Sequence, residues 1–139
     1  MDHETRTLVA GRLLAAYESR EPLEPLTSTY EGMTLEDSYA IQLLQIEQRL
    51  AAGRTVQGHK VGLTSAAMQR LLGVTDPDYG HLLDDFFHLE HMPIPMDRWL
   101  QARIEPEVAF VLGKPLKGPG VTVAEAIQAQ PAALGLLCG

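Results

Sequence analysis

The chain has 139 residues, 45% hydrophobic and 21% charged, which suits one modest folded domain and excludes a disordered chain. Its formal net charge of −7 argues against nucleic acid and anionic membranes as partners. A single cysteine, Cys138, excludes an internal disulfide and fits a reducing cytoplasm. The start, Met1-Asp2-His3-Glu4, lacks a signal-peptide pattern, and no apolar run approaches a membrane span.

In chain order, residues 4–19 read as a helix with Leu8, Leu13, Leu14 and Tyr17 as its apolar stripe. Pro22 and Pro25 end it and open a loop. Thr34 is the expected N-cap of a second helix, with Glu36 and Asp37 in its first turn. Tyr39, Leu43, Ile46 and Leu50 form that helix's expected inner face, and Gly53 its C-terminal stop. Thr55 to Leu63 reads as a strand with Gly58 and Gly62 inside it. Ser65 then caps a short helix through Leu72, with Met68, Leu71 and Leu72 turned inward.

From Gly73 to Arg98 the sequence reads as loop, with Asp76-Pro77-Asp78-Tyr79-Gly80 as a turn and Asp84-Asp85 as a solvated acidic pair. The histidines His81, His88 and His91 in this stretch lack zinc-site spacing. Arg103 to Leu112 reads as a strand, followed by a Gly/Pro turn at residues 117–120. Thr122 and Glu125 make a capping box for a last short helix.

Two segments carry chemistry. In Arg103-Ile104-Glu105-Pro106-Glu107-Val108, the i and i+2 acids share one face of a strand. Paired carboxylates repel unless a cation lies between them, and their oxygens suit a hard divalent ion. The alternative is a solvated edge strand blunted by Pro106. In Gly58-His59-Lys60-Val61-Gly62, the glycines permit close backbone approach, and Lys60 among apolar neighbours is suited to acid–base or charge-stabilising work. The alternative there is an exposed lysine on a glycine-weakened edge.

Taken together, four blocks in this order resemble the hydratase/decarboxylase branch of the fumarylacetoacetate hydrolase superfamily. They are Gly58-His59-Lys60-Val61-Gly62-Leu63-Thr64-Ser65, Pro77-Asp78-Tyr79-Gly80-His81-Leu82-Leu83-Asp84-Asp85, Ile94-Pro95, and the segment from Arg103 to Leu112. Pro25-Leu26-Thr27 and the helix from Leu35 to Gln42 match too. The similarity is to 2-keto-4-pentenoate and 2-oxohept-enedioate hydratases, with 4-oxalocrotonate decarboxylase as the neighbouring family.

The resemblance implies an α+β fold. N-terminal helices and short strands would lead into the first strands of a mixed β-roll or sandwich. It divides the chain into a helical region, residues 1–57, and the start of a β-rich catalytic domain, residues 58–139. It implies Mg²⁺ or Mn²⁺ held by Glu105 and Glu107, catalytic roles for Lys60 and Asp78, and substrate binding at His81 and Leu82. The implied activity is hydration of 2-hydroxypenta-2,4-dienoate, or a related 2-oxo-alkenoate, to a 4-hydroxy-2-oxoacid in aromatic catabolism. The alternatives are a 4-oxalocrotonate-type decarboxylase and a non-catalytic fragment. The partner is a small 2-oxo or 2-hydroxy-dienoic acid rather than nucleic acid or membrane. A homo-oligomer is implied for the full-length parent.

The departure lies at the end. The family places its third metal ligand in a Pro-Ala-Leu-Glu-like motif, where this chain reads Pro131-Ala132-Ala133-Leu134-Gly135. No acid follows Glu125. The expectation is therefore an N-terminal half with an incomplete metal site.

Overall fold

A computed structural model describes residues 1–129 and the backbone course of 132–138. The elements run α1 (His3–Ser19), α2 (Leu26–Thr29), α3 (Leu35–Ala51), β1 (Val56–Gly62), α4 (Ala66–Leu72), β2 (Asp78–Leu83), β3 (Pro106–Val111), α5 (Val123–Gln128) and β4 (Ala132–Cys138). Mixed helices and short antiparallel strands make this an α+β fold. It divides into two compact units, Met1–Leu100 and Gln101–Gly139. None of the helices is long and apolar enough to cross a membrane, among the described residues.

In the first unit, α1 packs against α3. Asp2 caps α1 by accepting from the Thr5 backbone N–H at 2.8 Å. The helix ends at Arg20, whose φ of 59° breaks the right-handed repeat before either proline is reached. The buried apolar cluster between α1 and α3 is Val9, Ala10 and Ile41, with Met1, Leu13, Leu26, Tyr30, Met33 and Leu44 packed around it. The stripe expected on α1 is thus rotated, since Leu8 and Tyr17 are 62% and 59% exposed. A small residue explains the difference: Ala10 lets α3 approach, and apolar periodicity alone does not distinguish adjacent stripes.

On α3 the capping box at Thr34 forms as expected, with Asp37 as the reciprocal partner. The helix buries Asp37 and Ile41, while Leu43 and Leu50 of the expected face are exposed. Gly53 follows the helix end with φ 92°, a backbone state glycine adopts without penalty. Ile41 is the largest fully buried apolar side chain between the two helices. Ile41→Ala should lower the unfolding free energy by about 2–5 kcal/mol, read from urea melts. A loss below 0.5 kcal/mol would mean the α1–α3 contact does not hold this unit together.

β1 and β2 pair antiparallel, with Lys60 opposite Gly80 and Gly62 opposite Asp78. The loop expected over residues 73–98 therefore contains a strand. Only the approach, Asp76-Pro77, bends. Pro77 precedes the first strand residue, where its missing N–H costs no ladder bond. α3 lies along β2: Tyr39 stacks on Tyr79 with ring centroids 4.7 Å apart, and Gln42 Nε2 donates to the Tyr79 carbonyl at 3.4 Å. α4 forms as expected, but Met68, Leu71 and Leu72 are exposed. Their spacing names the face a helix can bury and does not supply a partner for it.

The acids Asp84 and Asp85 are not a solvated pair. Asp84 Oδ1 accepts from the Thr55 backbone N–H at 3.1 Å, and Asp85 accepts from Arg49. Arg54 reaches Asp84 at 3.8 Å and Asp85 at 3.6 Å. This cluster ties the end of α3 to the end of β2. The Thr55 N–H, and secondarily Arg54, hold the Asp84 carboxyl below its ordinary range.

In the second unit, β3 pairs antiparallel with β4, Glu107 opposite Leu137 and Val108 opposite Leu136. Gly118 and Gly120 take φ of 93° and 104° in the expected turn. The Thr122–Glu125 capping box opens α5 as the sequence predicts.

Candidate functional site

The β1–β2 pair places the motif residues of the first unit. Side chains alternate along each strand, and directly paired residues share a face. Gly58, Lys60 and Gly62 of β1 therefore share a face with Leu82, Gly80 and Asp78 of β2. Lys60 and Asp78 are diagonal neighbours on it, a separation of roughly 7–8 Å between backbones that long side chains bridge. Lys60 is half-buried and Asp78 exposed.

The other face carries His59 and His81, paired across the strands with ring centroids 4.9 Å apart. Burial, and then the nearby His59, push the His81 pKa below its ordinary value, so His81 is neutral near pH 7. Its Nδ1 is buried without a hydrogen-bond partner among the described residues, as is Gln42 Oε1. Both residues line a cavity of about 370 Å³, together with Leu13, Tyr17, Ile46 and Arg49. Sequence reading missed Gln42 and Arg49, since nothing in an α-helical heptad marks a glutamine or arginine as cavity-lining.

The structure thus brings Lys60, Asp78 and Leu82 onto one face and sets His81 on the opposite one. Leu63, directly after β1, has φ 53°. This left-handed state is uncommon for a leucine and turns the chain sharply toward α4. Gln69 Nε2 holds the Leu63 carbonyl at 2.7 Å.

The carboxylate pair belongs to the second unit. Glu107 lies in β3 on the half-buried side with Ala109, whereas Val108 and Phe110 face outward. Glu105 immediately precedes the strand and is exposed. Oxygen donors of this type fit a hard divalent cation in kind. Among the described residues no three His, Cys, Asp or Glu side chains cluster as a metal cage would. The segment where the family carries its third ligand begins at Pro131, outside the described residues, and only the backbone of 132–138 is described there.

Helices beside one antiparallel hairpin in the first unit, and a second antiparallel strand pair in the other, give a mixed α+β fold. No family model matches the sequence. The chain is 48% identical over 122 residues to the 2-oxo-hept-4-ene-1,7-dioate hydratase of Escherichia coli, covering 88% of this chain and 46% of that protein. It is 44% identical over 131 residues to the 2-hydroxypent-2,4-dienoate hydratase of Pseudomonas putida, covering 93% and 59%. Among solved structures it superposes on the 4-oxalocrotonate decarboxylase of Pseudomonas putida G7, complexed with calcium and acetate, with a TM-score of 0.87 and 28% identity. That match covers 94% of this chain and 50% of that one. The same decarboxylase complexed with magnesium and adipate gives a TM-score of 0.81. Over its own length the chain is homologous to these hydratases and shares its fold with the decarboxylase, and it spans about half the length of the curated relatives it matches.

Proposed function

We propose that this chain carries the first half of the machinery of a metal-dependent hydratase acting on 2-hydroxypenta-2,4-dienoate or a related 2-oxo-alkenoate. In this reading residues 1–57 frame the site, and residues 58–139 begin the catalytic domain. The observation that carries the reading is the β1–β2 register, which sets Lys60 and Asp78 on one face in a chain 48% identical to a hydratase.

Glu105 and Glu107 are the residues that would hold a divalent ion, Mg²⁺ or Mn²⁺. The ion would supply Lewis-acid stabilisation for charge that develops on the substrate's 2-oxygen. Lys60 offers a positive charge for a developing enolate oxygen, an interaction worth most where water is shielded from it. Asp78 moves the proton: the dienol loses its hydroxyl proton and gains one at the terminal diene carbon, giving an α,β-unsaturated ketone. Water then adds at the β-carbon, with a proton delivered to the α-carbon, and yields the 4-hydroxy-2-oxoacid. Leu82, on the same face, offers the apolar wall for the alkene. His81 pairs with His59 on the opposite face, in the cavity lined by Gln42 and Arg49.

The test is a chimaera in which this chain replaces the matching half of the Escherichia coli hydratase. With Mn²⁺ it should consume 2-hydroxypenta-2,4-dienoate, followed by loss of dienoate absorbance, and form the 4-hydroxy-2-oxoacid. The structural likeness to the decarboxylase favours one second reading, loss of CO₂ from a 4-oxalocrotonate-type acid, because both reactions develop enolate charge beside a carboxylate. CO₂ release without hydration would support it. A folded chimaera with neither activity would sink the enzymatic reading and favour a non-catalytic fragment.

Metal binding gives a second prediction. Two carboxylates, one in β3 and one just before it, should hold Mn²⁺ with a dissociation constant on the order of 10⁻³ M, because a hard, well-hydrated ion needs more charge and ligands to bind tightly. Titration of the isolated chain followed by Mn²⁺ EPR reads this directly. Glu105→Gln/Glu107→Gln should abolish the binding. Unchanged affinity in that double variant would show that other groups hold the ion.

A further inference from the structure

We propose that Gly62 is a positioning residue for Asp78: the space left by its missing side chain is the seat of the Asp78 carboxylate. The two residues are directly paired across β1 and β2 and share a face. A Cβ placed on Gly62 would stand 2.1 Å from Asp78 Oδ1, 3.1 Å from Cγ and 3.5 Å from Oδ2. The first distance is far inside van der Waals contact, so the carboxylate and a side chain at position 62 exclude each other.

The backbone does not require glycine here. Gly62 is not among the glycines with positive φ, so an L-residue fits its conformation. The other glycines of the hairpin lack this constraint. A Cβ on Gly58 would meet only Leu82 Cδ1, at 3.9 Å, and one on Gly80 only Gln42 Nε2, at 3.7 Å. Both are ordinary contacts. What Gly62 supplies is room, and the group that fills the room is the acid diagonal to Lys60. The sharp turn at Leu63, pinned by Gln69, fixes where β1 ends and so where that room lies. The inference rests on the reading of Lys60 and Asp78 as working partners. A carboxylate lying down over Gly62 is held beside the lysine's face, whereas one swung outward is free to solvent.

The experiment uses this chain alone. The Asp78 side-chain rotamer is read by NMR from its χ1 couplings and from Hβ contacts to residue 62. The wild type should show one rotamer with Asp78 Hβ close to the Gly62 Hα protons. Gly62→Ala should switch that rotamer and shift the Asp78 ¹³Cγ resonance, while cross-strand contacts between residues 59 and 81 stay in place. Gly58→Ala should leave Asp78 as it is. An unchanged Asp78 rotamer in Gly62→Ala would overturn the proposal. If Gly62→Ala fails to fold, Gly62→Ala/Asp78→Ala decides, because removing the carboxylate should remove the clash. That double variant should melt within about 5 °C of Asp78→Ala, and failure of this rescue would also overturn the proposal. The catalytic reading fails separately: a rotamer that switches, together with full turnover in an Asp78→Asn chimaera, would leave the positioning intact and remove Asp78 from the chemistry.

Discussion

Lys60→Met in the hydratase chimaera is expected to lower turnover by about 10²–10⁴-fold, the range for losing a positioned acid–base or charge-stabilising group. Methionine keeps an unbranched apolar stem of similar length and removes only the charge, so packing at a half-buried strand position changes little. Lys60 pairs through its backbone with Gly80, and that ladder survives any side-chain change. The thermal midpoint should therefore move by a few degrees at most. Arginine should not restore activity, because its planar guanidinium holds its charge differently and does not release a proton. The measurement is kcat and KM on the dienoate, beside a melting curve for each variant. Turnover within threefold of the wild type would remove Lys60 from the mechanism. Parallel loss of activity and folding would make it a structural residue of the hairpin.

Much of the fold was legible in the sequence, and what escaped did so for identifiable reasons. The capping boxes at Thr34 and Thr122 were readable because three residues of local chemistry decide them. β1 was readable from its β-branched and apolar content. β2 was not, because Asp78 and Gly80, with Pro77 just before them, are turn formers. They become a strand only through pairing with β1 and packing of Tyr79 on Tyr39, both non-local. That miss hid the diagonal relation of Lys60 and Asp78, which depends on register rather than on sequence spacing. The acidic run Asp84-Asp85 misled in the same way. Local sequence shows two like charges, and only the fold brings Arg49 and Arg54 to them. The carboxylate pair differs. Its i, i+2 spacing was visible, and the structure adds that β3 begins at Pro106, so Glu105 stands just before the ladder and Glu107 within it.

A large effect on folding is expected at Asp37, the buried acid that joins the two long helices. Its carboxylate is 1% exposed. Oδ2 accepts from the Thr34 backbone N–H at 2.9 Å, which caps α3. Oδ1 accepts from Arg6 Nε at 2.8 Å and from the N-terminal ammonium at 3.0 Å, both on the α1 side. One carboxylate thus satisfies a helix start and two cations at once. Asp37→Asn keeps the shape and removes the charge, leaving Arg6 and the ammonium against a neutral amide. Breaking a buried pair from one side is far costlier than losing an exposed one. The thermal midpoint at pH 7 should fall on the order of 10 °C.

The pH dependence carries a definite sign. The Thr34 N–H, then the ammonium and then Arg6, hold the Asp37 pKa well below its ordinary 3.8. A carboxyl with a depressed folded-state pKa contributes its stability above the unfolded-state value and loses it as pH falls toward the folded one. The gap in melting temperature between wild type and Asp37→Asn should therefore be the same at pH 7 and pH 5. It should narrow at pH 3, because the unfolded wild-type chain then binds a proton that the folded one does not. Calorimetry at the three pH values measures it. A gap that stays constant down to pH 3, or that widens there, would show that the Asp37 charge does not tie α1 to α3.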